Sequence, residues 1–340
     1  MRHRLSAWLP AVAIPLVMSL APGPPVLAVD LEGFGPVSVR NFQPFQLLFI
    51  SMPGERAAVI PPKALDVRLE LAETAAIFNE QSSAINAQVK FETLRSGLYL
   101  RYGFMERLEL GLEIPVYYRS RGFLGGAITA VERATTGLSP ARAALENTSF
   151  AFRISRNGQV LMQGGDDQMG LGDITISTKY QAMTEQQWRP TVSLRAAIKV
   201  PSGDSARFFG SGHTDFGVGI AAEKKLGAQW TAYANASGLF PTGGVSGLHV
   251  GPVVTGLFAI EYQWTPQFAV VAQFEGYSSF YRNTGIGIYD KGVTEATLGF
   301  SYLFQQRFLW QVYGVENLDF IRDSAADFTL ATVLTYRFNR

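Results

Sequence analysis

The chain has 340 residues, no cysteine, and 29 Lys plus Arg against 28 Asp plus Glu. The missing cysteine excludes a disulfide framework and a lipidated cleavage site, and near neutrality argues against nucleic acid as a partner. Mean hydropathy is only +0.09 although 12% of residues are aromatic, an unremarkable average that apolar surface hidden by strand alternation would also produce.

Residues 1–28 read as a secretory signal peptide. Arg2 and Arg4 precede an apolar run from Ala7 to about Leu20, and Val26-Leu27-Ala28 offers small residues at the positions a signal peptidase reads. Pro10 and Pro15 interrupt the run, which argues against a membrane helix. No later run reaches the roughly 18 to 20 apolar residues a spanning helix needs. Removing Arg2 and Arg4 leaves 27 basic against 28 acidic residues, a mature charge of −1.

Residues 29–64 are too apolar between Asn41 and Ser51 for a free tail, and Pro61-Pro62 ends the segment. The segment is expected either to plug the lumen or to pack beneath the barrel on the periplasmic side. A third option, one more strand, would spoil the even strand parity. The segment is too short for a separate plug domain of the kind used by energy-coupled transporters.

From Leu65 onward about twelve strands follow, at 65–78, 88–103, 107–119, 172–183, 190–200, 215–226, 229–240, 253–264, 267–280, 293–304, 308–318 and 328–338. Their lengths suit tilted strands crossing a bilayer. In 107–119, Leu108, Leu110, Leu112, Ile114 and Val116 share one face and Glu109, Gly111 and Glu113 the other; side chains alternate with period two, so the first set meets lipid and the second the lumen. The strands at 190–200 and 293–304 repeat the pattern. In 88–103 the parity breaks, with Val89 and Phe91 odd but Leu98, Leu100 and Tyr102 even. A β-bulge near Leu94 to Gly97 is the expected repair.

Connections alternate. Met105-Glu106, Leu226 to Ala228, Thr265-Pro266 and Gln305-Gln306 are tight, and Thr184 to Arg189 is slightly longer. On the other side lie 79–87, 120–171, 201–214, 241–252, 281–292 and 319–327. Tight periplasmic turns, long outer loops and an even strand count belong to an outer-membrane barrel, whereas a soluble sandwich would mix turn lengths. The fold class is therefore all-β: a transmembrane, antiparallel, up-and-down β-barrel over 65–340, in the bacterial outer membrane. The partners expected are the membrane lipids, the barrel-assembly machinery, whose substrates typically end in an aromatic-rich strand such as Phe328 to Phe338, here trailed by Asn339 and Arg340, and a small-molecule solute. No cofactor is indicated.

The connection 120–171, between the third and fourth strands, has structure of its own. Gly125 to Thr136 suits a short helix with Ile128 and Val131 on one side, and Asn157-Gly158 suits a hairpin turn between 149–155 and 159–163. A loop this long is functional more often than most, so a lid over the mouth stands against a plain solvated excursion.

The polar faces supply the candidate solute path. Asp66, Arg68 and Glu70 come from the first strand, Lys90 and Glu92 from the second, and Glu109 and Glu113 from the third. Lys179, Arg195, Lys199 and Glu223 follow, then Glu261, Glu275, Glu295 and Arg337. These charges either line a water-filled path and set its preference or pair into a network that fills a narrow interior. Twelve strands fall between filled eight-stranded barrels and open sixteen-stranded porins, so a restricted pore is expected, narrowed by the long loop or by 29–64.

Several phrases together carry a family resemblance: Gly33 to Pro44, Tyr102 to Tyr117 with Gly122 to Leu124, Gly170 to Asp173, Leu194 to Asp204, Gly210 to Gly212 with Thr214-Asp215, and Ser279 to Arg282. With these the chain resembles, over almost its whole mature length, the bacterial outer-membrane family called domain of unknown function 3187. More distantly it resembles the outer-membrane proteins of phenol-degradation (meta-pathway) operons. The resemblance implies a barrel that passes small molecules and brings no catalytic residues.

The residues themselves offer little chemistry. The mature chain has only His213 and His249, and Ser211, His213 and Asp215 lie too close in sequence for a nucleophile, base and orienting group. No His or Cys cluster has metal-ligand spacing, and Asp166, Asp167 and Asp173 sit around a glycine-rich turn better read as structural than as a calcium site. The leading expectation is a passive channel for small solutes, apolar ones included, and no enzyme. A non-transporting structural or surface-binding barrel ranks second and an outer-membrane hydrolase third.

Overall fold

The computed structural model describes residues 33–318 and 326–338. The signal peptide expected at 1–28 and most of the connection at 319–327 lie outside them. Fifteen strands form one sheet, and twelve close into an antiparallel ring. The ring runs β1 (Leu65–Gln81), β2 (Ile85–Met105), β3 (Leu108–Ser120), β7 (Ile174–Met183), β8 (Thr191–Val200), β9 (Asp215–Lys225), β10 (Trp230–Pro241), β11 (Val253–Thr265), β12 (Phe268–Tyr277), β13 (Val293–Phe304), β14 (Phe308–Asn317) and β15 (Ala326–Phe338). It closes between β1 and β15, with Leu65 opposite Phe338 and Glu70 opposite Val333. Closure is the physical requirement, because a bilayer offers no water to satisfy an open sheet edge. Among the described residues no helix is long and apolar enough to cross a membrane.

Alternation builds the wall. Leu69, Leu194, Val218, Val254, Phe258 and Leu298 point outward and are largely exposed, as an apolar band facing lipid must be. Near the tight turns aromatic rings meet across strands in tilted pairs, Trp230 with Tyr262 and Phe308 with Tyr336, each with centroids 4.6 Å apart. Such a girdle marks the membrane–water interface.

Two local expectations change. Pairing of β2 with both neighbours runs without interruption through Leu94 to Gly97, so the bulge expected there is absent. Odd residues face inward along all of β2, and Val89 and Phe91 are inward-facing apolar residues above the bilayer. The connection expected at 79–87 also shrinks to Ser82–Ala84, because β1 and β2 run on past the membrane.

The long connection divides. Helices α1 (Leu124–Thr135) and α2 (Pro140–Ala144) pack on the outer wall of β1 and β2, where Ile77 meets Ala141 and Leu145. The chain then returns as a hairpin, β4 (Ala151–Arg156) and β5 (Gln159–Gln163), with β4 pairing the top of β2. Asn157 and Gly158 make its turn with φ of 51° and 78°, the left-handed pair a tight hairpin requires. Strand β6 (Gln168–Leu171) pairs the top of β3. The hairpin thus extends the wall upward, and only its inner face, Phe152, Ile154 and Met162, turns over the mouth.

Residues 33–64 occupy the barrel interior without adding a strand. They rise from the periplasmic end, where Gly35 N donates to Glu261, turn at 43–49, and descend again to Lys63, whose N–H reaches Gly103 at the foot of β2.

Candidate functional site

The interior has three zones, each defined by what the wall offers to residues 33–64. At the outer end the zone is apolar. Phe45 packs edge-on to Tyr289 with centroids 5.0 Å apart, and Phe49 stacks on Phe280 at 4.6 Å. Phe91, Phe152, Ile154 and Met162 complete this cluster from β2 and the β4–β5 hairpin. Arg119 sits at its margin with no carboxylate partner among the described residues. Its guanidinium lies 4.6 Å from the Phe152 ring centroid and 4.7 Å from that of Phe209, and donates to the Arg207 and Phe208 carbonyls.

Below the apolar zone, β1, β2, β3, β7 and β8 present a charged wall. Arg95 bridges Glu70 and Glu113, while Arg40 of the inner segment donates to Glu113 at 2.9 Å and to the Tyr99 hydroxyl at 2.5 Å. Arg68 stands 3.6 Å from Glu70. Further down, Glu55 of the inner segment receives Lys179 at 3.0 Å and Arg195 at 2.5 Å. Burial alone would raise the Glu55 carboxyl, but Arg195, Lys179 and Arg101 overcome it and hold the group at about 2, below its ordinary 4.5. Glu109 accepts the Ile60 N–H at 3.0 Å and lies 3.4 Å from Lys179. Glu223 binds Arg56 and the Ala57 N–H, both at 3.0 Å. Asp66 takes Arg101 at 2.8 Å and Arg337 at 2.7 Å near the periplasmic rim.

The opposite wall packs Val271, Tyr313, Val315 and Val333 against Val37, Val39 and Phe42, and its charges are acidic. Of the inward positions on β9 to β14, Asp215, Glu223, Glu261, Glu275 and Glu295 carry acids, and Lys225 at the rim is the one cation among the described residues. Glu261 accepts Phe34 and Gly35 N–H groups at 2.9 Å. Glu275 and Glu295 are paired directly across β12 and β13, both buried, and no cation bonds either among the described residues. Glu275 accepts from Tyr277 at 2.5 Å and from Gln273, which also reaches the Val37 carbonyl at 3.1 Å.

Of the residues expected to line the path, Arg68, Glu70, Glu109, Glu113, Lys179, Arg195, Lys199, Glu261, Glu275, Glu295 and Arg337 face the interior. Lys90 and Glu92 do not. With no bulge in β2 they fall on its outer face, where Glu92 accepts the N–H groups of Phe123, Leu124 and Gly125 at the start of α1, and Lys90 reaches the Leu145 carbonyl at 2.7 Å. The same uninterrupted parity brings in Arg95, Tyr99 and Arg101, which a strict odd–even reading of β2 would have found. Arg40, Glu55 and Arg56 had no such signal, since an irregular segment has no period. Ser211, His213 and Asp215 form no triad. Lys199 lies between Asp173 at 2.5 Å, Ser211 at 2.8 Å and Asp215 at 3.2 Å, and only the main-chain atoms of His213 bond Ser211.

Cavities inside the barrel are small, about 30 Å3 beneath Phe49 and Phe280 and about 90 Å3 between Glu55, Arg68 and Lys179. The interior is filled by residues 33–64, not by barrel side chains alone.

The model of a family described as protein of unknown function, DUF3187, matches residues 25–338. The chain belongs to the DUF3187 family. No curated protein matches its sequence. Among solved structures, this DUF3187 barrel is similar to the COG4313 outer membrane channel from Pseudomonas putida F1, with 13% identity, a TM-score of 0.58, and coverage of 85% of this chain and 100% of that one. Weaker likenesses are to the KdgM porin, with 8% identity, TM-score 0.43 and coverage of 81% and 99%, and to the toluene transporter TodX of P. putida, with 8% identity, TM-score 0.40 and coverage of 83% and 91%. At these identities the first likeness establishes the shared outer-membrane barrel fold.

Proposed function

We propose that this DUF3187 barrel is a passive outer-membrane channel for small solutes, closed at rest by residues 33–64 acting as a re-entrant plug. One observation carries the reading. The lumen is filled by a separate chain segment, which meets the wall through ion pairs of Arg40, Glu55 and Arg56 and through packing of Val37, Phe42, Phe45 and Phe49, instead of by barrel side chains alone. A barrel meant only as a wall would fill its interior with its own side chains, as eight-stranded barrels do.

The vertical order of the zones fits solutes with an apolar part. Such a solute entering from outside meets the aromatic cluster of Phe45, Phe49, Phe280 and Tyr289 before the charged wall. Beyond that cluster a wall of paired cations and carboxylates faces an acidic wall across the segment, ionised groups that set the preference of the path once the segment moves aside. No step needs energy input, since the segment has both ends at the periplasmic mouth and shifts without leaving the barrel.

The second reading, a non-transporting barrel, is favoured by the small size of the two interior cavities, about 30 and 90 Å3. Single-channel recording from the refolded mature chain and from a variant lacking 36–60 separates the two. Current steps in the deletion variant, with rare openings of the intact chain, support the channel. Silence from both, with the barrel folded, refutes it.

A further inference from the structure

A cavity of about 500 Å3 opens on the outside of the barrel, between helices α1 and α2 and the upper strands β1 and β2. It is separate from the interior path. Its floor is Ala75 and Ile77 of β1 with Lys90 and Glu92 of β2, and Gly126, Thr129 and Arg133 of α1 roof it. Down the same outer face of β1 Glu73 comes first, beside Glu92, and below it stand Leu71 and Leu69, 48% and 55% exposed, so the apolar band ends one outward residue below the cavity. The cavity therefore lies at headgroup height in the outer leaflet.

Its charge is unbalanced toward cations. Lys90, Arg121, Arg133 and Arg142 line it, against Glu92 and Glu146. Glu92 is committed to the three N–H groups at the start of α1. Arg142 pairs with Glu132 and Asp327, Arg121 with Asp166, and Arg133 with Glu146. Lys90 meets only the Leu145 and Glu146 carbonyls, at 2.7 and 3.4 Å, and no carboxylate among the described residues lies within ion-pair distance of it.

A second observation is independent of charge. α1 carries two consecutive glycines, poor helix formers. Gly125 has a steric reason, since a Cβ there would stand 3.2 Å from Glu92 Oε1. Gly126 has none: a Cβ there would meet no atom within 4 Å, and the residue lines the cavity. The glycine keeps the space open at the expense of the helix. Beside it Phe123 is 65% exposed, placed as an interfacial aromatic.

We infer that this cavity binds the phosphorylated sugar headgroup of an outer-leaflet glycolipid. Lys90 and Arg133 meet the phosphate, as charge-assisted donors do, and the acyl chains descend over Leu71 and Leu69. Basic pockets at headgroup level recognise anionic lipid heads by this same pairing.

The test is native mass spectrometry of the refolded mature chain in detergent, with a bis-phosphorylated glucosamine-disaccharide lipid as the probe. Its dephosphorylated analogue and inorganic phosphate serve as comparisons. Two variants are used, Lys90→Glu with Arg133→Glu, and Gly126→Leu, which fills the cavity, leaves every charge in place and favours the helix. Arg307→Glu at a periplasmic turn is the control. The expected result is a lipid adduct about tenfold weaker in both variants and for the dephosphorylated lipid, and unchanged in the control. Full binding by the folded variants, or equal binding of the dephosphorylated lipid, overturns the inference. Displacement of the lipid by an equimolar amount of inorganic phosphate overturns the lipid assignment.

Discussion

Replacing Glu55 with Gln probes how the inner segment is held. The Glu55 carboxylate is bonded by Lys179 at 3.0 Å and Arg195 at 2.5 Å, and its depression from 4.5 to about 2 corresponds to on the order of 3 kcal/mol. Breaking a buried pair from one side costs a similar amount, because the cations left behind lose their counter-charge. If plug release requires parting this contact, the open fraction rises by roughly a hundredfold. Because the folded-state value is depressed, the stabilisation is complete above about 4.5 and disappears as pH falls through about 2. On the proposed channel function, the intact chain should therefore show a flat open probability from pH 8 to about 5, then a rise in strong acid. Glu55→Gln should open at neutral pH, and adding Arg195→Met should restore closure by removing the stranded charge, since Lys179 keeps Glu109 at 3.4 Å. Open probability in planar bilayers reads each case. Equal open probability for parent and Glu55→Gln at pH 7, with both barrels folded, would refute the reasoning.

The other expectations address separate contacts. Glu295→Gln removes one of two carboxylates placed directly opposite each other with no cation, so urea unfolding in detergent should show a gain of about 1 kcal/mol. Glu92→Ala strips three N–H groups at the start of α1 of their acceptor; amide exchange over 122–130 should quicken while the strands stay protected, and unchanged exchange would count against the capping role. Glu261→Ala frees the Phe34 and Gly35 N–H groups, and a spin label at position 33 should gain mobility. Arg119→Met exchanges a guanidinium lodged among Phe152 and Phe209 for an apolar chain of similar length; the outer cluster should hold within about 1 kcal/mol, as judged by thermal unfolding.

Much of the fold was legible because a barrel wall is periodic. Leu108 to Val116 against Glu109 and Glu113 states which face meets lipid, and tight turns such as Thr265-Pro266 state which end meets the periplasm. Alternation also gave most of the charged interior. It misled at β2, where Val89 and Phe91 looked like lipid-facing residues out of phase. Above the bilayer the inner face of that strand is apolar, so hydrophobicity there marks the interior and not the membrane.

The sequence by itself determined a closed, even-stranded membrane barrel, because period-two alternation and connection length are local properties of the chain. Only the tertiary structure decided that residues 33–64 thread the lumen, that Arg40 and Glu55 join the charged wall, and that Lys90 and Glu92 serve the outer surface. Those outcomes depend on contacts between residues far apart in sequence, and an irregular segment carries no period from which its partners follow.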